Sequence, residues 1–183
     1  VDGAFVIDLA DGATATVSTT DLGSASGIVG AGGSETVIVD TSVGGALTGY
    51  TLDGDIENWQ IGTVGDGNNS VTMGANSQNV TFGNGTNTLT ASATRIAGST
   101  VQGGSGTDTL RVTGTLGSFN FNAASADVSA VETLELAQTS NLAQITAQAD
   151  MTNITLSDAG GFNGASTTLV LASTATTTVQ GDA

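Results

Sequence analysis

Gly65-Asp66-Gly67-Asn68-Asn69-Ser70-Val71-Thr72-Met73 runs directly into Gly74-Ala75-Asn76-Ser77-Gln78-Asn79-Val80-Thr81-Phe82, and then into Gly83-Asn84-Gly85-Thr86-Asn87-Thr88-Leu89-Thr90-Ala91. In this nine-residue register Val71, Val80 and Leu89 align, as do Met73, Phe82 and Ala91. Each unit is a Gly/Asn turn leading into a short apolar–polar–apolar strand. Successive residues of a strand face opposite sides, which places the apolar pairs inside and Thr72, Thr81 and Thr90 outside. A single unit cannot bury its apolar side, but stacked units can. The stretch therefore predicts an all-β chain, a right-handed parallel β-solenoid or β-roll. A β-sandwich of adhesin type is the alternative.

Composition agrees. Of 183 residues, 38% are hydrophobic and only 10% charged, so Thr, Ser, Asn and Gly must supply most of the surface polarity. Thr, Val and Ile suit a pleated surface and Gly suits the turns between strands. Seventeen acidic residues face two basic ones, Arg95 and Arg111, for a formal net charge of −15. That balance argues against nucleic-acid binding, which needs Lys and Arg to displace counterions, and against an anionic membrane surface. No apolar run is long enough to suggest membrane insertion. Without Cys or His, neither a disulfide nor a zinc site of the usual kind can form.

A fainter period of about 75 residues accompanies the short one. Gly32 to Val39 resembles Gly104 to Val112, Leu47 to Leu52 resembles Leu116 to Phe121, and Ile56 to Ile61 resembles Val131 to Leu136. The end, Thr178 to Asp182, echoes Thr100 to Gly104. Residues 1–183 are read as one solenoid-like domain, an excerpt of a longer array. Helix is expected only in short pieces, with Ala123 to Ala130 and Gln138 to Gln148 as the candidate stretches.

Gly103-Gly104-Ser105-Gly106-Thr107-Asp108-Thr109-Leu110-Arg111 matches the Gly-Gly-x-Gly-x-Asp-x-U-x nonapeptide residue for residue. Glycines that tolerate positive φ let such a turn aim carbonyl oxygens inward, and the Asp adds a carboxylate. The motif resembles RTX-type calcium-binding repeats. Together with the Val131-Glu132-Thr133-Leu134-Glu135-Leu136 strand, it is similar to bacterial S-layer and adhesin proteins of that class. The resemblance implies calcium held by turn residues, with Asp108, Gly104 and Gly106 as candidates, and Asp66 beside its two glycines as a further one. The pattern departs at the aligned positions, where Asn69, Gln78 and Asn87 replace the Asp, so oxygen ligands remain but charge does not.

No catalytic residue is expected. With His, Cys and Lys absent, only bare carboxylates could do chemistry, and Glu132 and Glu135 are spaced to diverge along a strand. Trp59, Tyr50, Phe82, Phe119 and Phe121 read as core or end plugs rather than a sugar platform. Thr86, Thr88 and Thr90 alternate, but the linear pattern does not repeat them on successive units, which argues against an ice-binding face. The function expected is a structural module of a secreted bacterial surface assembly, an S-layer or extracellular filament, assisted by calcium. Its expected partners are its own copies or adjacent modules. The alternatives are an adhesin module that binds glycan or a host surface and, further off, a carbohydrate-active β-helix enzyme.

Overall fold

The computed structural model describes residues 5–114, 118–121, 126–138, 144–158, 168–170 and 178–181. The first coils contain β1 (Phe5–Leu9), β2 (Thr14–Ser18), α1 (Thr19–Ser24), β3 (Ala25–Gly30), β4 (Thr36–Asp40) and β5 (Thr48–Thr51). Then come β6 (Asn58–Val64), β7 (Ser70–Thr72), β8 (Asn79–Phe82), β9 (Thr88–Ser92) and α2 (Ala93–Ile96). The later coils hold β10 (Thr100–Gln102), β11 (Thr109–Gly114), β12 (Ser118–Asn120), β13 (Asp127–Ser129) and β14 (Thr133–Gln138). They end in β15 (Gln144–Thr146), β16 (Asn153–Asp158), β17 (Thr168–Val170) and β18 (Thr178–Gly181).

Two long sheets form the walls. One is ordered β2-β4-β6-β8-β10-β13, the other β5-β7-β9-β11-β14-β16-β18, and short sheets β1-β3 and β12-β15-β17 lie on the return path. Neighbours in every sheet differ by about one coil, and every ladder between described strands is parallel. The protein is a parallel β-solenoid of about seven turns. The antiparallel hairpins of an adhesin-type β-sandwich do not occur among the described residues.

The nine-residue unit is half of a coil. Val71 on β7 pairs with Leu89 on β9, whereas Val80 on β8 lies on the opposite wall between Trp59 and Val101. Val71, Met73, Val80, Phe82 and Leu89 are all buried, while Thr72, Thr81 and Thr90 are half-exposed, as alternation requires. The core continues as two facing stacks. Val37, Trp59, Val80, Val101 and Val128 line one wall, and Val71, Leu89, Leu110, Leu134 and Ile154 the other. The aromatic expectation divides accordingly. Trp59, Phe82, Phe119 and Phe121 are buried, and Tyr50 is half-buried with its ring 6.2 Å from that of Trp59.

Two expectations need correction. The described helices stand at Thr19–Ser24 and Ala93–Ile96, each started by a serine (Ser18 or Ser92) whose side chain accepts from the third residue on. The stretches expected to offer helix instead contain β13 and β15, with 122–125 and 139–143 outside the described residues. Threonines that looked unrepeated in the linear pattern are stacked by the coil: Ser70, Thr88, Thr109 and Thr133 are neighbours on one face. The next row runs through Thr51, Thr72 and Thr90 but continues with Arg111 and Glu135, an ion pair at 3.4 Å that interrupts the hydroxyls. In the longer period, Thr36–Asp40 stands on one wall and Thr109–Gly114 on the other, so those paired stretches are not stacked. Leu116, Gly117 and Asp182 lie outside the described residues.

Candidate functional site

Most of the buried polar side chains gather at two corners of the coil, with Thr41 after β4 as an exception. A residue immediately before a strand has a backbone N–H that needs a partner, and a buried one left without a partner is costly. At the corner leading into the second wall, these positions are Leu47, Asn69, Asn87, Asp108 and Glu132, preceding β5, β7, β9, β11 and β14. The Leu47 N–H donates to Asn69 Oδ1 at 2.9 Å, and the Asn69 N–H to Asn87 Oδ1 at 3.1 Å. The Asn87 N–H donates to Asp108 Oδ1 at 2.8 Å, and the Asp108 N–H to Glu132 Oε2 at 2.8 Å. Side-chain amides add parallel bonds, Asn69 Nδ2 to Asn87 Oδ1 and Asn87 Nδ2 to Asp108 Oδ1, both at 2.9 Å. The result is a continuous polar column inside the corner.

Asp108 breaks the pattern of that column. Its Oδ1 accepts both Asn87 bonds, but Oδ2 is buried without a hydrogen-bond partner. An asparagine there would place an N–H₂ at one of the two positions, as Asn69 does when it donates to the Gly67 carbonyl at 3.1 Å. Burial pushes the Asp108 carboxyl above the ordinary aspartate range. The Asn87 hydrogen bonds pull the other way, and the Glu132 charge adds to the rise.

The glycines of the same turn are explained by how closely the coils approach. Gly106 has φ +136°, and a Cβ there would lie 1.8 Å from the Gly85 carbonyl oxygen. Gly104 has φ +92°, and its Cβ would lie 2.2 Å from the Gly83 oxygen. Backbone bonds zip these turns together, Gly67 N–H to Asn84 O at 3.2 Å and Gly85 N–H to Ser105 O at 2.9 Å. Asp66 is not brought to Asp108. It is exposed two coils earlier, in the left-handed region at φ 54°, where its Oδ1 accepts from Asn84 Nδ2 at 2.8 Å. Among the described residues no three carboxylates converge into a metal cage. Asp108 Oδ2 lacks a partner, and Glu132 on the next rung accepts the Asp108 N–H through Oε2.

The other corner carries Glu35, Glu57, Gln78 and Ser99, preceding β4, β6, β8 and β10. The Glu35 N–H donates to Glu57 Oε2 at 3.1 Å. Gln78 satisfies four backbone groups: Oε1 accepts from the Gly74 and Ala75 N–H groups, and Nε2 donates to the Asp53 and Ile56 carbonyls. Linear alignment had put Gln78 in one series with Asn69, Asn87 and Asp108, but the coil separates it from them. Sequence reasoning passed over Glu35, Glu57 and Glu132 as members of these columns. Their signal is a polar residue directly before Thr or Asn and an alternating apolar pair, as in Glu35-Thr36-Val37-Ile38-Val39 and Glu132-Thr133-Leu134-Glu135-Leu136.

Glu132 and Glu135 do diverge, Glu132 to the corner and Glu135 outward to Arg111. An open groove of about 290 Å³ lies beside α1, lined by Thr19, Thr20, Gly44, Leu47 and Tyr50 among others, and no carboxylate borders it. No family model, curated protein or solved structure matches the chain.

Proposed function

We propose that this chain is a structural module of a secreted bacterial surface assembly, an S-layer or extracellular filament, whose acidic solenoid is steadied by calcium. The observation that carries the reading is the pair of long parallel walls ending in outermost strands, β2 and β5, at the end of the molecule where β1 is also outermost. An outermost parallel strand presents unpaired backbone groups that a neighbouring module or second copy can extend. Phe5, Val6 and Val29 are exposed on β1 and β3 at that same end, and joining would cover them. Calcium enters through the charge balance and the RTX-like turn. A cation held between Asp108 and Glu132 would offset the mutual repulsion of their carboxylates and stabilise the folded form by mass action.

Sedimentation velocity and electron microscopy in chelator, calcium and magnesium test this reading. Calcium-dependent growth of regular oligomers or filaments is the expected result, with Asp108→Ala blunting both growth and the calcium gain in melting temperature. A chain that stays monomeric in calcium at high concentration, with superimposable melts, would overturn it. An adhesin module is the second reading, favoured by the groove that Tyr50 lines. It predicts a glycan bound by the monomer, with Tyr50→Ala abolishing binding.

A further inference from the structure

The first coil supplies a strand to only one of the two walls. β2 pairs with β4 on the first wall, and β5, on the coil of β4, is already the outermost strand of the second. The chain leaves β2 straight into α1, because the Ser18 side chain caps that helix and Asp21 accepts from the Ser18 N–H in return. α1 packs against β2 and β3 and stands over the outer edge of β5 without pairing with it. The open groove of about 290 Å³ lies between them, with Thr19, Thr20 and Gly23 of α1 on one side and Thr48, Gly49 and Tyr50 of β5 on the other.

The groove matches an added strand in side chains, charge and backbone. Tyr50 pairs with Val71 and belongs to the inward stack that continues through Leu89 and Leu110. Those three are buried, yet Tyr50 is only half-buried, and a residue stacked on its outer side would cover it. Thr51 heads the outward row of Thr72 and Thr90, so a polar residue belongs beyond it. No charged side chain lines the groove, in a chain of net charge −15. The second corner shows which kind of strand fits. Leu47 donates its N–H to Asn69 Oδ1 but has no side-chain acceptor for a rung beyond it. A further coil would bury an N–H without a partner there, whereas a free segment can begin past the corner.

We propose that the groove between α1 and β5 takes an extended, uncharged peptide strand from another protein chain, one that alternates apolar with hydroxyl side chains. The strand adds to the outer edge of β5. Main-chain hydrogen bonds supply the affinity, and the alternation sets the register. An apolar residue covers Tyr50, and hydroxyl residues extend the Thr51 row. β5 has only four residues, so the strand is short and each contact weak by itself. The proposal rests on the assembly reading for the source of the strand, and does not rest on calcium.

The probe is a blocked peptide copying Asn69 to Met73, the stretch around β7 that already pairs with β5 along its inner edge. Titrated into the full chain in chelator, it should shift the backbone amide NMR signals of Thr20, Gly23, Thr48, Gly49 and Tyr50 saturably and slow hydrogen exchange in β5. A peptide carrying Thr72→Pro lacks one strand donor and should bind at least ~10-fold more weakly. Gly23→Leu is the blocking variant. Gly23 is exposed and a Cβ there meets no atom within 4 Å, so the new side chain occupies the groove without a clash. It should melt no lower than the parent, since leucine favours helix over glycine, and lose at least ~10-fold in peptide affinity. Equal binding by this variant, or no saturable shift in the parent, would overturn the proposal. Neutral oligosaccharides that shift these amides where the peptide does not would overturn it in favour of glycan adhesion. Filament growth in calcium without peptide binding would overturn strand addition and leave the assembly reading standing. Peptide bound by a chain that never assembles would support strand addition and count against that reading.

Discussion

The two corners solve one problem with side chains of different length. Asn69, Asn87 and Asp108 reach just far enough to accept the N–H of the preceding rung, so the second corner becomes a straight wire from coil to coil. Glu57 and Gln78 are one methylene longer, as is Glu132 on the last rung of the wire. Gln78 folds back onto the backbone of its own turn, at Gly74 and Ala75, while also holding the preceding one. The wire runs from side chain to side chain, whereas Gln78 engages only backbone, on its own turn and on the preceding one. Each corner also contains one place where an acidic side chain accepts the backbone N–H of another acidic residue, Glu132 from Asp108 and Glu57 from Glu35. A chain of net charge −15 has therefore buried acid where neutral amides work one rung away.

Removing the floor that both corners stand on should have the largest effect. Leu89 is buried between Val71 and Leu110, and Leu89→Ala should cost ~2–5 kcal/mol in chemical denaturation. A variant as stable as the parent would remove Leu89 from the core. Next comes the comparison itself. Asn87→Ala strips the acceptor from Asn69 N and Nδ2 and the Nδ2 donor from Asp108, leaving only the backbone N–H of residue 87 to Asp108, and should cost about 1–3 kcal/mol with a broadened transition. Gln78→Ala should cost less, because water can reach the half-buried Gly74 and Ala75 N–H groups. Equal losses and equal cooperativity would erase the distinction between the two corners.

Asp108→Asn sharpens the comparison with an opposite sign. Because burial raises the Asp108 pKa in the folded state, the stability it confers is lost as pH rises through that value. The amide does not ionise and restores a donor to the column, so it should add about 1 kcal/mol at neutral pH. That gain should shrink towards acid, read from melts at several pH values in chelator. A loss at neutral pH would mean that the folded chain needs the charge itself. The smallest effect is expected on the outer face. Thr90→Ala should stay within about 0.5 kcal/mol, since the side chain is half-exposed and no buried group depends on it.

Much of this architecture is present in the order of residues. Alternation in Val71-Thr72-Met73 and its two successors determines which side chains enter the core. Gly before each unit marks the turns, and the poverty of charge marks the faces. Those are local properties, carried by the two-residue period of a strand and by glycine's freedom of φ. What only the tertiary structure decided is which units stack. Val80 and Leu89 look equivalent in the linear register, yet they stand on opposite walls, because two nonapeptides are needed to close one coil. Closure then sorts Gln78 from Asn87, brings Asp108 to Glu132 across 24 residues, and places Glu35 against Glu57. Contacts of that range depend on coil circumference, which varies from 18 to 24 residues along the second corner. No local propensity sets that length: it is the path on which each strand can hydrogen-bond to the coil before it while its apolar residues meet the same stack.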